Sequence, residues 1–196
     1  AVLAACVVAA ISLYLWALAV LAAGALATWC LEGFRRSVWL PLGVLYLGLP
    51  CLAIIWLRHR PADGLEVLAW LLVVGWAMDI FAYLVGRSLG GPKLWPSVSP
   101  KKTWSGLLGG MLAAAVLGAL GALWLPGWSW VWLAPAAAVL AAIAQGGDLF
   151  ESAIKRRFGA KDASSLIPGH GGLLDRVDGL MAASLALTLT LWLMKY

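Results

Sequence analysis

The chain has 196 residues, of which 63% are hydrophobic and only 12% charged. With a mean hydropathy of +0.93, that composition excludes an ordinary soluble domain and a disordered chain, and points to an integral membrane protein. The formal net charge of +5 is not read as a nucleic-acid footprint. The Lys and Arg residues lie in short segments between apolar runs, where they set orientation and meet anionic lipid headgroups.

Spans of about 20 residues allow roughly six or seven crossings, so the expected fold is a single all-α, polytopic transmembrane helix bundle. Cys6, Cys30 and Cys51 sit in apolar runs without metal-ligand spacing and read as small buried hydrophobes. Among thirteen tryptophans, those at 16, 29, 39, 56, 124, 128, 130 and 192 lie near the ends of apolar runs, which suits an interfacial aromatic belt.

Residues 1–30 are almost unbroken apolar sequence. One straight helix of that length spans about 45 Å against a hydrocarbon core of roughly 30 Å, so one tilted span and two shorter ones both remain open. A charged loop at 32–36 precedes a second span at 38–57, which contains Pro41 and Pro50. The Arg58-His59-Arg60-Pro61 turn leads to a third span at 65–86, which carries one acid, Asp79. The loop 87–103 holds Arg87, Lys93, Lys101 and Lys102 and no acid, so the positive-inside rule places it in the cytoplasm. A Gly/Ala-rich fourth span at 104–124 favours close helix packing and permits a homodimer. A fifth apolar segment is expected to end at Gln145, followed by a charged loop over 146–177 and a last span at 179–194. Alternation then puts loops 87–103 and 146–177 on one face, with Arg58 and Arg60 outside, against the charge rule.

The chemistry gathers in GGDLFESAIKRRFGAKDASSLIPGHGGLLDRVD, residues 146–178. Charge in or beside a bilayer is expensive and marks functional sites. Asp148, Ser152 and Lys155 share one helix stripe, with Glu151 and Arg156 falling to the sides. Asp148 follows Gly146-Gly147 and reads as the start of a helix, serving either as a cap or beside a bound phosphate. The Pro168-Gly169-His170-Gly171-Gly172 turn brings backbone N–H groups toward a ligand, and His170 reads equally as a loop residue or a ligand contact. Asp175 and Asp178, one turn apart, join Asp148 as carboxylates able to hold Mg²⁺ with phosphate oxygens as further ligands. Ser99-Pro100-Lys101-Lys102-Thr103 suits a triphosphate, or lysines that snorkel to headgroups. Asp79 is an intramembrane functional candidate or a structural partner of Arg87 or of a neighbouring helix.

These residues resemble the signature of phosphatidate cytidylyltransferases, the CDP-diacylglycerol synthases. The matching run is Ser152-Ala153-Ile154-Lys155-Arg156, Lys161-Asp162, then Pro168 through Asp178. The upstream match includes Asp79, Ala82-Tyr83, Gly86-Arg87, Lys93-Leu94, Pro96, Ser99 to Trp104 and Gly106. Two departures stand out: Ser105 replaces a usual Glu, and the additional N-terminal spans usual in the family are expected to be missing here. The resemblance implies cytidylyl transfer from CTP to phosphatidate at the cytoplasmic face of a bacterial inner membrane. It assigns Asp148, Asp175 and Asp178 to Mg²⁺ and a second cation beside it, with Lys155 as a further catalytic group. Ser99, Lys101, Lys102, Ser152, Arg156, Lys161, His170, Arg176 and Asp79 become substrate contacts. A cytidylyltransferase for an isoprenoid lipid phosphate and a non-enzymatic transporter or lipid-binding protein are the alternatives.

Overall fold

The computed structural model describes residues 2–31, 38–160, 164, 172 and 174–194. Its helices are α1 (Val2–Leu31), α2 (Trp39–Arg58), α3 (Gly64–Leu89), α4 (Trp104–Ala119), α5 (Trp130–Arg157) and α6 (Leu174–Leu193). An antiparallel hairpin of β1 (Lys93–Trp95) and β2 (Ser99–Thr103) joins α3 to α4. Among the described residues, six helices are long and apolar enough to cross a membrane. The chain is therefore an integral membrane protein of the all-α, polytopic class expected. Two compact units divide it, residues 1–56 and 57–196. In the first, α1 is one continuous helix, and Leu21 lies over Gly48 of α2.

Three boundaries differ from expectation, each for a physical reason. The loop 87–103 is mostly hairpin, and Arg87 belongs to α3; strands of three and five residues are too short to show a period in sequence. The fifth helix does not stop at Gln145 but runs on to Arg157, so Asp148 lies inside it and not at a helix start. Gly146-Gly147 resembles a breaker in sequence, yet Gly147 serves packing. A Cβ there would come within 2.5 Å of Ala182 Cβ and 3.0 Å of the Asp178 carbonyl on α6, so glycine lets the two helices approach. The last helix likewise begins at Leu174, which brings Asp175 and Asp178 into its first turns.

In the second unit α3 packs on α4, α4 on α5 and α5 on α6, and α3 also touches α5 and α6. The α4 surface shows how. Gly106, Gly110, Ala114 and Gly118 recur every four residues and are all buried, while Leu108, Leu112 and Val116 are exposed. Apolar residues on both faces suit a helix with protein on one side and lipid on the other. A Cβ on Gly106 would meet the Ala82 carbonyl of α3 at 2.7 Å, and one on Gly110 the Met78 carbonyl at 2.9 Å. The stripe ends at Trp70, whose indole N–H donates to the Gly118 carbonyl at 2.8 Å.

At the end of this unit remote from the hairpin, Asp63 ties two connections together. Arg60 Nε donates to its Oδ1 at 2.8 Å, and Trp128 Nε1 to its Oδ2 at 2.9 Å. Trp128 thus holds the α4–α5 connection to the α2–α3 turn, a role distinct from the interfacial belt expected of it. Asp63 is 6% exposed. Burial pushes its carboxyl up, but the hydrogen bonds from Arg60 and Trp128, together with the Arg60 charge, outweigh that and hold it below the usual range.

Two outcomes follow from this packing. Gly106→Leu, thrust against the Ala82 carbonyl, should destabilise the protein by about 2 kcal/mol or more, whereas Gly75→Ala, with nothing within 4 Å, should be neutral or stabilising by up to about 1 kcal/mol. Thermal unfolding in detergent distinguishes them. Asp63→Asn should cost roughly 2 kcal/mol at pH 7. Because the folded carboxyl lies below its unfolded value of about 3.9, its contribution is full above that pH and disappears as pH falls through the folded value. The gap between the two proteins should therefore close on acidification from pH 5 to pH 2 in denaturant titrations.

Candidate active site

Charge converges where the hairpin, α3, α5 and α6 meet. The hairpin is positioned first. Thr103 Oγ1 accepts from the Gly106 N–H at 3.1 Å and caps α4, and Ser105 Oγ donates to the Gly90 carbonyl, linking the segment before β1 to the start of α4. Gly86 and Gly106 allow this approach: a Cβ on Gly86 would meet the Gly106 Cα at 3.4 Å, and one on Gly106 the Gly86 Cα at 3.3 Å. Ser105, where the family usually has Glu, is thus a hairpin anchor here.

Only one of the two neighbouring lysines enters the cluster. Lys101 is exposed, whereas Lys102 is half-buried and forms an ion pair with Asp148 of α5. Asp79 of α3 and Asp178 of α6 both lie within electrostatic reach of Asp148 and of Lys102. Three carboxylates from three helices therefore face one ammonium group. Asp79 does not pair with Arg87, whose Nη1 donates to the Tyr83 hydroxyl at 2.8 Å and whose guanidinium sits 6.0 Å over that ring.

A second group adjoins the first. Lys155 Nζ lies 2.5 Å from Asp175 Oδ1 and 3.2 Å from Glu151 Oε1, tying α5 to α6. The other oxygen of Asp175 accepts the Gly172 N–H at 2.7 Å, so Gly172 supplies a backbone donor directed at a carboxylate. The stripe expected on α5 is present, with Ser152 Oγ donating to Asp148 Oδ1 at 3.3 Å. Glu151, expected to fall to the side, is instead buried at 2% exposure. Glu151 and Lys155 are four apart, the favourable order for a helical ion pair, but that spacing does not signal burial.

Other candidates lie apart from this cluster. Ser99 is half-buried on β2, and among the described residues neither it nor Lys101 touches the cluster. Arg156 is exposed, with Nη1 at 3.5 Å from the Ala160 carbonyl, and Arg176 is exposed on α6. Lys161 and His170 lie outside the described residues. Asp148, Asp175 and Asp178 are not gathered into a preformed metal site; among the described residues no three His, Cys, Asp or Glu converge in that way. Asp148 and Asp175 instead face Lys102 and Lys155 respectively.

The composition of the cluster nonetheless suits a hard cation. Asp79, Asp148, Glu151, Asp175 and Asp178 outnumber Lys102 and Lys155, leaving an excess of carboxylate oxygen in an apolar surround.

Known proteins resemble this chain in sequence. The chain is 49% identical over 152 residues to a phosphatidate cytidylyltransferase of Brucella abortus, covering 77% of this chain and 56% of that protein. A Rickettsia bellii phosphatidate cytidylyltransferase is 36% identical over 168 residues, with 82% and 72% covered. One from Bacillus subtilis is 38% identical over 152 residues, with 76% and 55% covered. The chain thus spans little more than half the length of the Brucella and Bacillus relatives. A sequence profile of the cytidylyltransferase family matches residues 1–194, and with the charged core just described on the same helices, the chain belongs to that family.

Proposed function

We propose that the chain transfers the cytidylyl group of CTP to phosphatidate, giving CDP-diacylglycerol and pyrophosphate. The observation that carries this reading is the pair of adjoining clusters, Lys102 with Asp148 and Lys155 between Asp175 and Glu151, set into the end of a membrane-spanning unit. A lipid phosphate in the bilayer and a water-soluble nucleotide can meet only at such a place.

The phosphatidate oxygen is already an anionic nucleophile, so no strong base is required. It attacks the α-phosphorus of CTP, the bond to the α,β-bridging oxygen breaks, and pyrophosphate leaves with that electron pair. The task of the protein is positioning and charge compensation. Lys102 and Lys155 are placed to exchange a carboxylate contact for a phosphate oxygen, and Ser152 can donate a hydrogen bond beside them. Asp148 and Asp175, with Asp178 adjacent, would hold Mg²⁺, and Asp79 widens the acidic set toward a second cation. When bound, the divalent cation neutralises charge on the phosphoryl group and the departing pyrophosphate. Lys101, Ser99, Arg156, Arg176, Lys161 and His170 are assigned to the periphery of the triphosphate or the lipid headgroup. The acid-free basic segment 87–103 supports a cytoplasmic orientation for this end, in a bacterial inner membrane. The small-residue α4 surface is used within the unit, so a homodimer would have to form elsewhere.

Purified protein in mixed micelles with labelled CTP and phosphatidate should form CDP-diacylglycerol; turnover with a prenyl glycerol phosphate in preference would move the assignment to an isoprenoid substrate. Chelation should abolish turnover, and added Mg²⁺ should restore it. Asp148→Asn and Asp175→Asn should each lower kcat by about 100-fold or more. Full activity in both would remove these carboxylates from the reaction.

A further inference from the structure

Glu151 is more deeply buried than its neighbours: its side chain is 3% exposed, against 12% for Asp175 and 35% for Asp148. Isolated carboxylates are not buried at so small an exposure without compensation. Its Oε1 takes Lys155 at 3.2 Å, and its Oε2 is fully buried with no donor reaching it among the described residues. The pair is one helical turn apart on α5, so the helix itself sets its geometry. Lys155's other partner, Asp175, belongs to α6 and is already shared with the Gly172 N–H.

We infer that Glu151 is a positioning residue that holds the Lys155 ammonium in the site from its own helix, so that Asp175 can release Lys155 to take a ligand. The unpartnered Oε2 supplies the replacement acceptor when the Asp175 contact is lost. Lys155 thereby stays beside the nucleotide while its second carboxylate changes partner. The identity of the ligand as CTP rests on the function proposed above; the holding of Lys155 does not.

Lysine acetylation by a water-soluble active ester, followed peptide by peptide by mass spectrometry on the detergent-solubilised chain, tests the holding directly. Glu151→Gln should speed modification of Lys155 by about tenfold or more, the scale of losing a charge-assisted hydrogen bond. Asp175→Asn should change it by less than about threefold, because Glu151 then offers Lys155 both carboxylate oxygens from the same helix. The exposed Lys93 and Lys101 should label alike in all variants and report that the fold is intact. If Glu151→Gln does not fold, Glu151→Asp, one methylene shorter, takes its place. A larger effect of Asp175→Asn than of Glu151→Gln overturns the inference.

Activity supplies the second arm. Glu151→Gln should lower kcat/KM for CTP by roughly 10–100-fold, yet by less than about twofold in a Lys155→Met background, since it acts through that lysine. An equal cost in both backgrounds makes Glu151 merely structural and also overturns the inference. Absence of CTP turnover in the parent protein would refute the proposed function, and the labelling arm would still decide the role of Glu151.

Discussion

Charge that is removed from water must be matched, and the 57–196 unit is organised around that constraint. An isolated ion in an apolar surround costs several kcal/mol even after relaxation. Lys102 is therefore paired with Asp148, and Lys155 is flanked by Glu151 and Asp175. These pairs do not make the protein more stable than apolar packing would. They keep acids and ammonium groups beside one another in an arrangement that a polyanion and a cation can take apart together.

Backbone proximity makes this arrangement attainable. The buried stripe Gly106, Gly110, Ala114 and Gly118 brings α4 against α3, and Gly147 does the same for α5 against α6. In lipid no hydrophobic force drives helices together, so close van der Waals contact between small residues carries the association. The Arg60–Asp63–Trp128 link fixes the opposite end through polar contacts between connections. The unit is thus held by packing along its length and by hydrogen bonds at both ends.

Helix number and class were legible in the sequence because runs of 18 or more apolar residues have few alternative explanations. Asp148, Ser152, Lys155 and Asp175 were legible because polar residues at helical spacing stand out in such runs. The burial of Glu151 was not, since Glu four residues before Lys is equally the pattern of a solvated surface pair. The extension of α5 through Gly146-Gly147 was obscured by the double meaning of glycine, a breaker in water and a packing residue between membrane helices. Asp63 and Trp128, 65 positions apart, form a long-range pair that no local pattern encodes. The hairpin was hidden by its brevity.

That hairpin also limits how the sequence can change. The neighbours Lys101 and Lys102 have different surroundings, one exposed and one paired with Asp148. Connections between helices usually absorb insertions and deletions freely. Here the Thr103 cap and the Ser105 anchor fix one end of β2, and a single residue gained or lost just before them would move Lys102 away from Asp148. Composition and net charge would be almost unchanged, yet the ammonium would be out of register with the acids. For this segment length is as much a functional property as residue identity, and drift in length is closed to it where drift at Lys101 is not.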